Sequence, residues 1–172
     1  MVNDSAIAIC DANIFIDIAF ADLMNELFAL SFEIHTTDFV MHELKKPEHI
    51  KKTLMEYEKG NLLTVKSFSA KEISDLYYFH PDISVLSITD KSVWKYAKNM
   101  NSRLLTNDMA LRRYAENDDI AVSGSLYIFD QFIEQGIISA QPCAEKLEYL
   151  LSRNSRLPKD ECDKRIRLWK ES

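Results

Sequence analysis

The feature that most constrains the fold is a short apolar run with no alternation, Ala6-Ile7-Ala8-Ile9-Cys10. A strand with one wet face alternates apolar and polar residues. A continuous run of this length reads as a strand buried on both faces, as in a parallel sheet covered by helices. Further runs follow at Glu33–Thr36, Leu62–Lys66, Arg103–Thr106 and Ile120–Val122. Helical patterns separate them: 13–30, apolar nearly all round; 38–44; a helix begun at Pro47 and stopped at Gly60-Asn61; one opened by a Ser69/Glu72 capping box; 89–100; 108–117; and 125–135, ended by Gly136. Strands alternating with helices predict a three-layer α/β/α sandwich around a mainly parallel sheet. Beyond Ile138 the pattern gives two helices joined near Asn154–Pro158. The expected organisation is therefore a body over 1–137 and a helical extension over 138–172.

Composition closes off several functions. The 172 residues include three glycines, too few for a phosphate-cradling P-loop or a dinucleotide fingerprint. Cys10, Cys143 and Cys162 are scattered, with neither metal-ligand spacing nor a disulfide framework, which suits a reducing cytoplasm. The chain opens without a basic, apolar leader, and no run is long enough to span a membrane. The net charge of −6 is uneven: residues 1–152 carry −9 and residues 153–172 carry +3. So acidic a body is a poor general binder of nucleic acid without cations or a local basic patch. The tail reads as a solvated amphipathic helix rather than a phosphate-binding arm.

Against this background four carboxylates stand in unusual places. Asp11 ends the first apolar strand, and Asp108 follows the strand Leu104-Leu105-Thr106. Ligands of parallel α/β sheets bind at the carboxyl ends of strands, near a reversal of strand order. Helical projection sets Glu43 between Phe39 and Val40, and Asp90 between Ala97 and Trp94, each inside an apolar stripe, while Lys91, Lys95 and Lys98 fall on the other side. Acids go inside only when paired or holding a cation, and several aimed at one interior suggest a site for a hard divalent ion. Asn13 and Thr106 are short polar groups placed to orient carboxylates or metal-bound water. Each acid also has an ordinary reading: Asp108 as a helix cap or a partner of Arg112, Asp90 as a first-turn acid, Asp11 as a turn residue, Glu43 as a partner of Lys46. Asp17 shares a helix side with Asn13 but is expected at the surface beside Asp22.

The pieces Ile9-Cys10-Asp11-Ala12-Asn13-Ile14-Phe15-Ile16, Val40-Met41-His42-Glu43-Leu44, Leu86-Ser87-Ile88-Thr89-Asp90 and Leu104-Leu105-Thr106-Asn107-Asp108 resemble, in order and spacing, the acidic motifs of PIN-domain ribonucleases. The turn Gly124-Ser125-Leu126 resembles the family too. The resemblance implies a Mg²⁺- or Mn²⁺-dependent endoribonuclease acting on single-stranded RNA. It is similar to the toxins of type II toxin–antitoxin modules, with an antitoxin protein as partner and a homodimer as the assembly. By the same resemblance Asp11, Glu43, Asp90 and Asp108 are the catalytic metal ligands, and Asn13 and Thr106 their supporting polar groups. Arg112, Arg113, Lys45 and Lys46 lie near the motifs as candidate phosphate contacts. Ala110 stands where some members carry a further acid or polar residue, which thins the carboxylate set around a second metal.

Two readings within the fold stay open: a non-toxin RNA-processing nuclease and a catalytically silent nucleic-acid-binding protein. A metal-dependent phosphoacceptor domain also uses acids at strand ends. It wants an acidic pair after the first strand and a lysine after the last, and neither is clear here. A zinc protease is excluded, because His42-Glu43 begins the helix motif but Lys46 occupies the second ligand position.

Overall fold

A computed structural model describes residues 6–46, 48–153 and 156–172. Five strands form one parallel sheet: β1 (Ile7–Cys10), β2 (Glu33–Thr37), β3 (Leu63–Lys66), β4 (Arg103–Leu105) and β5 (Val122–Ser123), in the order β3-β2-β1-β4-β5. The central strand is the apolar run of the N-terminus, with Ala8, Ile9 and Cys10 buried. Its register pairs Ile9 with His35 on one side and with Leu104 on the other. The chain winds outward from β1 through β2 to β3, then returns to the opposite side of β1 with β4. The reversal of strand order thus falls between β1 and β4, where Asp11 and Thr106 emerge.

Helices cover both faces. α5 (Ala70–Tyr78), α6 (Ile88–Met100) and α7 (Met109–Asn117) pack together on one, with α6 lying over β1, β2 and β4. On the other, α1 (Ala12–Phe20) meets α4 (Glu48–Lys59) and α8 (Ser125–Glu134), and α2 (Met24–Leu27) also packs on α8. α3 (Asp38–Glu43) follows β2 directly and touches both α1 and α6. Phe15, Ile18, Val93, Trp94, Phe129 and Phe132 are among the fully buried side chains of the core. α9 (Ala140–Arg153) packs on α8 and on α10 (Lys159–Lys170), which buries Cys162, Ile166 and Trp169. The three cysteines are free and buried. Among the described residues no helix is long and apolar enough to cross a membrane.

With so few glycines, the chain ends its helices on other residues. Asp22, Asn61, Asn101 and Asp119 all take left-handed backbone conformations, and Gly136 does the same after α8. At each, the next residue's N–H reaches back five residues, as Leu23 does to the Ile18 carbonyl and Ser102 to that of Ala97. This is the Schellman termination, in which short polar side chains tolerate positive φ better than most. It explains one departure from expectation. The single helix expected over 13–30 is two, because Asp22 adopts φ 56° and stops α1 at Phe20. Leu23 is buried and closes the turn.

Candidate active site

Asp11 is the N-cap of α1, and its side chain is 4% exposed. Its backbone N–H donates to the Leu105 carbonyl at 3.0 Å, which locks it to the end of β4. Its Oδ1 accepts from Ala12 N–H at 2.8 Å. Its Oδ2 accepts from Thr106 Oγ1 at 2.8 Å and from Asn13 Nδ2 at 2.6 Å. Thr106 is itself fully buried and accepts from the Asp108 backbone N–H at 3.1 Å. Despite these donors, the Asp11 carboxyl is pushed up to about 6. Burial is the first cause, and the charges of Asp90 and Glu43 add to it, while the bonds from Thr106 and Ala12 pull the other way.

The other three acids are near but are not aimed as the sequence suggested. Glu43 is exposed. α3 buries Val40 and Met41, with Leu44 beyond its end, whereas Phe39 sits half-buried against Phe68 at 5.6 Å. Taking Phe39 as a core residue had rotated the apparent stripe onto Glu43. Asp90 is half-buried and closes a capping box, accepting from Ser87 N–H at 2.7 Å and Ser87 Oγ at 2.8 Å. Lys91, expected at the surface, is buried and donates to the His80 carbonyl at 3.0 Å. Asp108 is exposed and caps α7 through Leu111 N–H at 2.8 Å. Among the described residues no three His, Cys, Asp or Glu side chains stand together as a ready metal-holding group. Three of the acids, Asp11, Asp90 and Glu43, therefore meet in charge and not in ligand geometry, while Asp108 is tied to Asp11 through Thr106. Even so, the donors are all hard oxygens. A buried carboxylate held against two others of like sign is an arrangement that a divalent cation relieves, so the residues fit such an ion.

Asp17 is the main correction. It is 3% exposed and lies in the interior, not beside Asp22 at the surface. Its Oδ2 accepts from Asn107 Nδ2 and from Ser125 Oγ, both at 2.8 Å. Asn107 is the hinge of the network. Its backbone N–H donates to Asn13 Oδ1 at 3.0 Å, its Nδ2 also donates to Ser125 Oγ at 2.7 Å, and its Oδ1 accepts from Ser125 N–H at 2.9 Å. Gly124 makes room for this amide, since a Cβ there would collide with Asn107 Oδ1. Sequence reasoning missed Asn107, Ser125 and Gly124 as parts of the network behind Asp11, although all three lie in segments that carry the resemblance.

Of the cations near the motifs, Arg112 is spent on the fold. Its guanidinium donates to the carbonyls of Val122 at 3.1 Å and Thr106 at 3.4 Å and pairs with Glu116 at 3.3 Å. Arg113 is exposed and lies over the Tyr114 ring at 5.1 Å, and Lys45 and Lys46 are exposed beside Glu43.

A family model described as a PIN domain (DUF3368) matches residues 7–171. The chain belongs to the PIN-domain family. PIN domains are in general nucleases, so a hydrolytic role is the family's coarse reading. No curated protein matches the sequence significantly. Solved structures similar to this PIN domain include a PilT N-terminus domain protein from the archaeon Sulfolobus solfataricus P2, at 13% identity over 74% of this chain and 94% of that one, with a TM-score of 0.46. A domain of a functionally unknown protein from Methanocaldococcus jannaschii is 20% identical over 69% of this chain and 89% of that one, with a TM-score of 0.48. VapBC2 from Rickettsia felis, bound to a DNA fragment from its promoter, is 19% identical over 69% of this chain and 98% of that one, with a TM-score of 0.47.

Proposed function

We propose that this PIN domain is a Mg²⁺- or Mn²⁺-dependent endoribonuclease that hydrolyses single-stranded RNA, and that it acts as the toxin of a toxin–antitoxin module. The observation that carries the nuclease reading is Asp11: buried, at the reversal of strand order, with its carboxyl raised by burial and by Asp90 and Glu43. The toxin reading, with an antitoxin partner and a homodimer, rests on the motif resemblance. Residues 1–137 would form the nuclease body and 138–172 an extension of it.

In this reading Asp11, Glu43, Asp90 and Asp108 hold the metal. When bound, the ion lowers the pKa of a coordinated water and offsets charge on the phosphodiester. The chain's own residues prepare for it. Thr106 and Asn13 fix Asp11 Oδ2, and the Asn107 N–H fixes the Asn13 side chain in turn. Asp90 and Asp108 would exchange their helix-capping bonds for the ion, and Glu43, exposed and near Asp11, would accept a proton from the water that attacks. Lys45, Lys46 and Arg113 would meet flanking phosphates.

The test is cleavage of single-stranded RNA by the purified chain with Mg²⁺ or Mn²⁺, with EDTA, and as D11N. Cleavage should require the metal and vanish in the variant. Equal cleavage by wild type and D11N would remove Asp11 from the site. Growth arrest on expression, relieved by a small neighbouring gene product, would support the toxin role, and harmless expression of an active enzyme would favour RNA processing.

A further inference from the structure

Beside the acidic centre lies a cleft of about 670 Å³ whose walls come from distant parts of the chain. Its lining brings together Asp17 and Asp108, the apolar Phe20 and Met109, and Arg153 and Arg156. That volume is in the range that encloses a nucleotide-sized ligand. Phe20 is 50% exposed and Met109 74%, so the cleft offers apolar surface to solvent.

The placement of the two arginines bears on how an acidic body meets a polyanion. Most basic side chains of the tail do not face this cleft. Arg165 makes a two-pronged pair with Asp130, at 2.8 and 2.9 Å, and also pairs with Glu161. Lys170 pairs with Glu148 at 2.8 Å. Arg153, at the end of α9, is exposed and lies over the Tyr149 ring at 5.5 Å. A guanidinium beside a ring can still present N–H donors to an anion. Arg156 lines both this cleft and a second one of about 260 Å³ that runs past Arg112 and Gly124. It therefore stands where a strand leaving the acidic centre would pass from one cleft to the next. Cations along a groove, with an exposed aromatic ring beside them, are the elements of a single-strand binding surface: phosphates meet the charges and a base stacks on the ring.

We infer that Arg153 and Arg156 form a phosphate clamp for the backbone of single-stranded RNA, with Phe20 receiving a base, directly beside the acidic centre. The inference rests on the ribonuclease reading above and adds to it the part of the chain that positions the substrate.

The test uses the full chain in EDTA, so that binding is read apart from cleavage, and the anisotropy of a short labelled single-stranded oligoribonucleotide across a salt series. R153A/R156A should weaken binding about tenfold or more and flatten the slope of log affinity against log salt by about 0.7 for each phosphate no longer neutralised. R153K/R156K should restore the slope but not the full affinity, because lysine keeps the charge and loses the fork. F20A should weaken binding about fivefold or more with the slope unchanged. Thermal midpoints are read beside binding for every variant, and R153K/R156K, which keeps both charges, separates a lost clamp from a loosened fold. A double alanine variant that binds with wild-type affinity and slope overturns the clamp. If the wild type cleaves single-stranded RNA and that variant matches it in binding and KM, only the clamp falls. If the wild type neither binds nor cleaves RNA with metal present, the ribonuclease reading falls and the clamp falls with it.

Discussion

Asp11 and Asp17 are buried to the same degree at the two ends of one short stretch, 4% and 3% exposed, yet they are handled in opposite ways. The Asp17 carboxylate accepts from the amide of Asn107 and the hydroxyl of Ser125, which belong to two distant segments. It fastens the loop after β4 to the start of α8 and so serves the fold. Asp11 also has good donors, but it faces Asp90 and Glu43, and burial with like charge raises its carboxyl to about 6. A buried acid surrounded by donors holds structure together. A buried acid facing other acids costs stability, and such arrangements cluster at functional sites.

The sharpest way to break this comparison is to remove each charge in turn. D11N should abolish metal-dependent RNA cleavage while raising the melting temperature of the metal-free protein at pH 7, because it deletes an unfavourable charge. D17A should do the reverse to stability. It leaves the Asn107 amide and Ser125 hydroxyl without their shared acceptor, at about 1–3 kcal/mol for each group left unsatisfied, read as a lower denaturation midpoint. Two variants that shift stability in the same direction would erase the distinction.

The pH dependence of the metal-free protein sharpens the same contrast. The Asp11 carboxyl is raised in the folded state from 3.8 to about 6, so the folded protein binds the proton more tightly than the unfolded chain does. The stabilisation from that proton is complete below the unfolded value and is lost as pH rises through about 6. The difference of roughly two units corresponds to about 3 kcal/mol. Denaturation in EDTA should therefore show stability increasing as pH falls from 7 to 5, and D11N should flatten that slope. Glu72, lowered to about 2 by Lys66 and its Ser69 bonds, titrates well below this window. A slope that survives in D11N would assign it to other groups.

G124A probes the Asp17 side of the comparison at a distance. Gly124 has an extended φ of −120°, so the glycine is required by space rather than by backbone conformation. A methyl group would press on Asn107 Oδ1, and overpacking of this kind costs about 1–3 kcal/mol. Because Asn107 also holds Asn13, which holds Asp11, cleavage should fall more than stability does.

What the sequence made legible follows from the range over which each signal acts. The parallel sheet and most helices were readable because apolar runs, capping boxes and stop residues are local. The Ser69 and Ser87 caps are formed between residues three apart. Asp22 defeated the single long helix because an aspartate with positive φ carries no distinctive pattern. Glu43 was turned inward by one half-buried phenylalanine in a helix of six residues, too short for the stripe to correct itself. Asp17 was unreadable for a different reason: its partners lie 90 and 108 residues away, and nothing in its own neighbourhood announces them. The position of Asp11 and Asp108 at the strand ends was readable because topology, not side-chain contact, sets it.

Asp108 offers the smallest effect on stability and a clean separation of roles. At present it is an exposed N-cap, bonded to Leu111 N–H, with its own N–H on the Thr106 hydroxyl that supports Asp11. D108A would lose the cap, at about 1 kcal/mol, and any loss of cleavage could then be blamed on a frayed α7. D108S keeps a capping oxygen and removes the carboxylate. If Asp108 only caps, D108S should melt and cleave like wild type. If it releases Leu111 to take a metal, D108S should melt within a few tenths of a kcal/mol of wild type and still lose cleavage, with partial recovery at higher Mn²⁺ concentration. The second outcome is expected, since the cap lies one hydroxyl away from the acid that faces its own kind.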